Sequence, residues 1–216
     1  MSLIQILSDR CTQSMRYAQA YRNPSSSRVA TNSNLEVMGN RPLQVGDRAP
    51  DFSLLNAKGE PIRLQDWLTQ GPVVLVFNRG QWCPYDNLEL WQLQQALPTF
   101  KTLGANLAVI SPQSLAPAED PELTFEVLQD EDNQVARAFG LTCQLPASLR
   151  SVYAGFGIDV PTSDESKTFE LSIHAAYVIA PDGTAIYAFV DPGYTQRLDP
   201  GRCLMALDPE YWLALV

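Results

Sequence analysis

The sequence predicts an α/β fold with a central mixed sheet and helices on both faces. Residues 73–77 read Val-Val-Leu-Val-Phe, a continuous apolar run typical of a strand that is buried on both sides. Apolar side chains between residues 90 and 100 then recur at helical spacing. A further strand is predicted at residues 106–110. This strand–helix–strand order, followed by a helix, a hairpin and a closing helix, is typical of a mixed sheet covered on both faces.

The remaining elements follow from turn residues and hydrophobic spacing. A β-hairpin with a glycine turn is predicted near the start of the domain, over residues 52–64. Pro98 should kink the long helix and Gly104 should end it. The further predictions, in chain order, are a short helix from Asp66, a strand at 125–128, helices at 133–139 and 145–156, a hairpin of 175–179 with 186–190, and a helix at 199–207.

The first 42 residues differ from the rest of the chain in their pattern of apolar and polar residues. Leu3, Leu7, Cys11 and Met15 recur every four residues, which predicts a helix. A polar stretch with prolines and serines follows. We therefore predict an appended N-terminal helix and linker over residues 1–42, and a single domain over residues 43–216.

Composition excludes several classes of function. The 216-residue chain has a net charge of −9 and a pI of about 4.5, with no basic cluster, so nucleic-acid binding is not expected. No apolar run is long enough for a membrane helix, and the N-terminus lacks a secretory pattern. A cytoplasmic protein with no membrane partner is therefore predicted. Its four cysteines are widely spaced, unlike the paired ligands of zinc sites.

Cys83 carries the chemically most informative pattern. It follows the predicted buried strand and precedes Pro84, which suits the first position of a helix. Cys83 would then be the N-cap, where free backbone N–H groups and the helix dipole favour a thiolate. We predict an exposed, activated sulfur, with Arg79 adding positive charge. The alternative is a small apolar residue that merely packs at a helix start.

Several stretches of the sequence carry a family resemblance. From about residue 43 to residue 207 the chain resembles the peroxiredoxin-like branch of the thioredoxin superfamily, which contains alkyl hydroperoxide reductase and thiol-specific antioxidant proteins. The resemblance implies a thioredoxin-like fold with its reactive cysteine at position 83. The matching stretches are residues 45–52, Gly80-Gln81-Trp82-Cys83-Pro84-Tyr85, residues 109–113 and residues 189–195.

Three departures from the family pattern concern the site. Relatives resemble W-C-P-Y-C, whereas Asp86 stands here in place of the second cysteine, so a local disulfide cannot form. Gly80 replaces the threonine of P-x-x-x-T-x-x-C, which orients the peroxide in relatives. His174, the only histidine, stands where relatives have a cis-proline facing the cysteine. A cis bond there would cost about 2.5–4 kcal/mol, so a trans loop is predicted.

Asp86 and His174 allow two interpretations. In one, His174 forms a thiolate–imidazolium pair with Cys83, and Asp86 orients the histidine or transfers protons. In the other, Asp86 is a first-turn acid favoured by the helix dipole and His174 is a tolerated loop residue. An Asp86 carboxylate close to the sulfur would itself disfavour the thiolate. A metal bound by these three side chains is a further alternative, without the usual paired spacing.

The flanking aromatic residues suggest where a substrate would bind. Trp82, Pro84 and Tyr85 are predicted to form an apolar rim beside the sulfur, although simple packing explains the two aromatic residues equally well. No organic cofactor is predicted, because the sequence has no glycine-rich phosphate loop.

Two functions follow from these residues and the resemblance. The first is a thiol-dependent oxidoreductase in which Cys83 attacks a hydroperoxide or a disulfide. An external thiol such as thioredoxin, glutaredoxin or glutathione then restores it. The second is a non-catalytic binding module that keeps the fold after losing the second cysteine. A homodimer is among the assemblies that the resemblance allows.

Overall fold

The computed structural model describes residues 41–80, 83–112, 123–146, 168–192, 196 and 198–208. The described chain forms a seven-stranded mixed sheet and a separate two-stranded sheet. In chain order the elements are β1 Ser53–Asn56, β2 Pro61–Arg63, α1 Leu64–Leu68, β3 Val73–Phe77, α2 Pro84–Thr102, β4 Asn106–Ser111, β5 Glu126–Gln129, α3 Gln134–Ala138, β6 Thr142–Pro146, β7 Thr168–Ser172, β8 His174–Ile179, β9 Ala185–Asp191 and α4 Pro200–Leu207.

The large sheet has the strand order β2-β1-β5-β4-β3-β8-β9. At its centre, β3 pairs in parallel with β4 and antiparallel with β8. Phe77, the last residue of β3, pairs with Ala175, the second residue of β8. The chain that leaves β3 therefore lies beside the start of β8, which places the loop before Cys83 next to His174.

Successive side chains of each strand point to opposite faces of the sheet, so the core has two layers. Val73, Leu75 and Phe77 face one layer, which α1 and α3 cover. Val74 and Val76 face the other layer, which α2 and α4 cover. The predicted mixed sheet with helices on both faces is confirmed. Because side chains alternate along a strand, His174 shares the α2 and α4 face with Ala176 and Val178.

Elements that were predicted from hydrophobic spacing and turn residues within a short segment are found close to their predicted positions. The glycine-turn hairpin, the central strand, the long helix and the closing helix all lie within two residues of their predicted positions. Gly104 follows α2 with a φ of 70°, the left-handed conformation expected of a residue that ends a helix. Helix α2 continues through Pro98, and the kink predicted there stays a prediction.

The prediction of a helix over residues 145–156 is wrong for its first two residues. Residues 145 and 146 belong to β6, which pairs antiparallel with β7 through partners such as Cys143 and Leu171. The pairing joins segments more than twenty residues apart, so the sequence near residue 145 carries no sign of it. The rest of that predicted helix lies outside the described residues, as do residues 1–40 of the N-terminal helix and linker predicted at 1–42.

Within the described part of the chain, no helix is both long enough and apolar enough to cross a membrane.

Candidate active site

Cys83 is the N-cap of α2, as predicted. Its backbone is extended, with φ −84° and ψ 110°, and Pro84 opens the helix. Between Phe77 and Cys83 the chain turns at Gly80, whose φ of 112° is open to glycine but strained for other residues. The amide of Cys83 donates to the carbonyl of Gly80 at 3.1 Å. The strand, the glycine turn and the proline together fix the position of the cysteine.

The sulfur of Cys83 is buried, and its surroundings favour the thiol over the thiolate. Cys83 is only 3% exposed. Burial raises the pKa of its thiol to about 12, and the neighbouring Asp86 carboxylate contributes to the rise. The predictions of an exposed sulfur and an activated thiolate at rest are therefore wrong. The helix terminus is placed as expected, but desolvation outweighs it.

Asp86 lies on the first turn of α2 and is 2% exposed. One carboxylate oxygen accepts the backbone N–H of Arg79 at 2.7 Å. After burial, the charge of the Asp86 carboxylate contributes most to the raised pKa of the Cys83 thiol, while the backbone N–H of Asp86 lowers that pKa. The expectation that Asp86 disfavours the thiolate is confirmed.

Arg79 supplies the positive charge that the sequence predicts. It is buried in the loop between β3 and α2. Its guanidinium lowers the pKa of Cys83 and also that of Cys143, although burial outweighs it at both thiols. Arg79 therefore acts on two sulfurs.

His174 is the first residue of β8 and is 1% exposed. Its Nδ1 lies 3.1 Å from the Phe77 carbonyl oxygen and 3.9 Å from a carboxylate oxygen of Asp86. No hydrogen bond or ion pair between described residues joins the ring to the sulfur of Cys83, so the predicted thiolate–imidazolium pair is absent there. The predicted proximity of Asp86 and His174 is confirmed, and Asp86 contacts both Cys83 and the imidazole.

Glu89 is the site residue that sequence reasoning missed. It lies one turn beyond Asp86 on α2 and is 2% exposed. Its Oε2 lies 3.1 Å from Nε2 of His174. The sequence did hold a signal, because Asp86 and Glu89 precede Leu90 and Leu93 by four residues each. Both acids thus extend the apolar stripe of the helix and are directed into the protein.

Comparison with known proteins assigns the family. The model of the AhpC/TSA family matches residues 45–188. The chain belongs to the AhpC/TSA family. It is 37% identical over 104 residues to peroxiredoxin Bcp of Escherichia coli, a match that covers 46% of this chain and 66% of that protein. The chain thus spans just under two thirds of the length of this curated relative.

Solved structures share the thioredoxin fold. The peroxidoxin BcpB structure from Mycobacterium tuberculosis aligns with a TM-score of 0.59 at 20% identity, covering 77% of this chain and 97% of that one. A yeast mitochondrial 1-Cys peroxiredoxin aligns with a TM-score of 0.58 at 17% identity, covering 80% of this chain and 78% of that one. At these identities the likeness concerns the fold.

Against the AhpC/TSA pattern, the three departures form part of one local structure. Asp86 binds the backbone N–H of Arg79, and Gly80 donates its own N–H to the Asn78 side chain at 3.2 Å. His174 belongs to a strand rather than a loop, and the described residues contain no cis peptide bond. The chain therefore bends before Cys83 without the threonine of the family pattern, and β8 begins at His174 without a cis peptide bond.

The predicted substrate rim is only partly described. Trp82 lies outside the described residues, and Pro84 is placed as the residue that opens α2. Tyr85 is 39% exposed, although it follows the buried Cys83 by only two positions. A substrate-binding role for these three residues stays a prediction.

The other described cysteines are buried free thiols. Cys143 lies on β6, and Cys203 lies on α4, where burial raises its thiol pKa to about 12. Cys11 lies outside the described residues. Among the residues that the structure describes, no group of three His, Cys, Asp or Glu side chains is arranged to hold a metal ion, so the metal alternative has no geometric support.

Proposed function

We propose that this AhpC/TSA-family protein reduces a hydroperoxide through Cys83, with Asp86 as the base that accepts the thiol proton. The observation that carries the proposal is the buried Asp86 carboxylate at the start of α2, which lies close enough to Cys83 to raise the pKa of its thiol. Membership of the family supports the reaction class, and the curated relative in Escherichia coli is named a peroxiredoxin.

The reaction step balances within this arrangement. The sulfur of Cys83 forms an S–O bond to the distal peroxide oxygen as the O–O bond breaks. The thiol proton passes to Asp86 and then to the departing alkoxide. The products are a sulfenic acid and an alcohol, with the sulfur oxidised by two electrons and the peroxide reduced by two.

A neighbouring base is needed because the thiol is protonated at rest. Burial and the Asp86 charge raise the pKa of the thiol to about 12, so little free thiolate is present at neutral pH. A positioned base removes the proton as the S–O bond forms and contributes about 10²–10⁴ in rate. Arg79 stabilises the negative charge that develops on the sulfur.

An external thiol would complete the cycle. Asp86 occupies the position of the second cysteine in relatives, so we propose that thioredoxin, glutaredoxin or a glutathione-like thiol attacks the sulfenic acid. Water is released and a mixed disulfide forms, which a second thiol reduces. In the yeast mitochondrial 1-Cys peroxiredoxin, the thiol is resolved via glutathione and thioredoxin systems. A homodimer stays a prediction.

One observation favours the second candidate function, a non-catalytic binding module. The sulfur of Cys83 is buried and its thiol pKa is raised, the reverse of what a free thiolate nucleophile requires. In that case Asp86 would be a structural acid that holds the loop through the Arg79 amide.

Peroxide consumption with an excess of small thiol distinguishes the two candidates. The wild type should turn over, and Cys83→Ser should fall to the uncatalysed background because no other thiol holds this position. Cys143→Ser is the matched control and should retain turnover, since the one-cysteine cycle does not use it. Equal rates for the wild type and Cys83→Ser would contradict the proposal and favour the binding module.

A further inference from the structure

The hydrogen bond of His174 to the sheet fixes the tautomer of the ring. Nδ1 lies 3.1 Å from the Phe77 carbonyl oxygen, which can only accept. Nδ1 must therefore carry a hydrogen. In a neutral ring the proton on Nδ1 leaves Nε2 with a lone pair and no hydrogen.

That nitrogen would lie beside a carboxylate. Nε2 lies 3.1 Å from Oε2 of Glu89, and both side chains are almost fully buried. The separation is that of an ion pair, although Nε2 makes no hydrogen bond there. An unprotonated, electron-rich nitrogen this close to a buried negative charge is unfavourable, whereas a positively charged ring is attracted to it. The distance between the two atoms therefore favours a proton on Nε2.

The surrounding charges favour the same proton. Asp86 and Glu89 face the ring from α2, and Asp191 is its cross-strand partner on β9. From the loop before Cys83, Arg79 brings one positive charge, while Cys203 on α4 lies near Glu89 as a neutral thiol. Three buried carboxylates thus accompany one guanidinium. A protonated imidazole brings this buried group closer to neutrality, which lowers the cost of burying it.

We propose that Glu89 is a positioning residue, whose carboxylate holds a proton on Nε2 of His174 so that the imidazolium keeps Asp86 ionised as the base for Cys83. This inference rests on the proposed function. Nδ1 lies 3.9 Å from Asp86, close enough for its charge to stabilise the carboxylate. The proton on Nε2 is neither consumed nor released during the reaction, so the balance of the peroxide step is unchanged.

The single histidine of the chain allows a direct test by ¹⁵N NMR. In the wild type at pH 7, both ring nitrogens of His174 should show the shifts of an imidazolium. In Glu89→Gln the amide that replaces the carboxylate can donate to Nε2, so the ring should become neutral with hydrogen on Nδ1 only. A neutral ring in the wild type would overturn the inference without any variant, whether or not the variant folds.

The kinetic test uses two readouts at Cys83, peroxide reduction and alkylation by iodoacetamide. Glu89→Gln should slow both by roughly 10- to 100-fold, part of the effect of a positioned base. Glu131→Gln, at an exposed glutamate, is the matched control and should slow neither. An imidazolium in the wild type together with unchanged rates in Glu89→Gln would overturn the positioning role. Absent peroxide reduction with slowed alkylation would reject the proposed function and keep this inference.

Discussion

At the scale of single residues, opposing effects of the surroundings decide whether Cys83 is a thiol or a thiolate. The N-terminus of α2 and Arg79 favour the thiolate, whereas burial and the Asp86 carboxylate favour the thiol. The thiol prevails, with a pKa of about 12. Asp86 therefore has two opposing effects. It makes the resting sulfur harder to ionise, and in the proposed reaction it is the group that removes the thiol proton.

The variant Asp86→Asn separates these effects. Without the charge, the thiol pKa should fall while burial still keeps it above its ordinary value, so the pH midpoint of Cys83 alkylation should move downward. Peroxide reduction should nevertheless slow by about 10²-fold or more, because the base is lost. Asp66→Asn, at an exposed first-turn acid of α1, is the control. Faster peroxide reduction in Asp86→Asn would mean that Asp86 only repels the thiolate.

The sequence predicted most of the residues that form the site, but it did not predict that their side chains would be buried. Cys83, Arg79 and Asp86 lie together as the spacing predicts, and the two acids of α2 follow its apolar stripe. Burial depends on how the loop packs against β8, which no local pattern encodes. For the same reason, the partner of His174 could not be predicted.

At the scale of elements, local patterns predicted those structures that local interactions determine. The apolar run of β3, the proline that opens α2 and the glycine that ends it each appear in the structure as expected. The pairing of β6 with β7 was missed, because it joins Thr142–Pro146 to a segment that is distant in sequence.

Two glycines with the same backbone conformation test the packing around these elements. Gly104 and Gly140 have φ values of 70° and 71°, so alanine at either site should cost about 1–2 kcal/mol of unfolding free energy. A Cβ at Gly104 meets nothing within 4 Å, whereas one at Gly140 would lie 2.4 Å from the Arg41 carbonyl oxygen.

In denaturant unfolding, Gly140→Ala should therefore lose about 1–3 kcal/mol more than Gly104→Ala, which serves as its control. Equal losses for the two variants would mean that the chain at Arg41 does not pack against the end of α3 as described.

At the scale of the whole molecule, the sheet order brings the site together. Because β3 is antiparallel to β8, the C-terminal end of β3 lies beside the start of β8. The start of α2 follows β3 closely in the chain, so these three segments meet at the same end of the central strands. The fold class and the family were predictable from ordered motifs along the chain. A buried cluster forms only when α2 packs over that end of the strands; its members are Arg79, Asp86, Glu89 and His174.

Trapping of a sulfenic acid tests most directly whether Cys83 is the nucleophile. The reduced protein would be treated with one equivalent of hydroperoxide and a sulfenic-acid probe, and each of the four cysteines would be read by mass spectrometry. The adduct should form at Cys83 and not at Cys11, Cys143 or Cys203. An unmodified Cys83, with the probe absent or spread over the other three cysteines, would contradict the account.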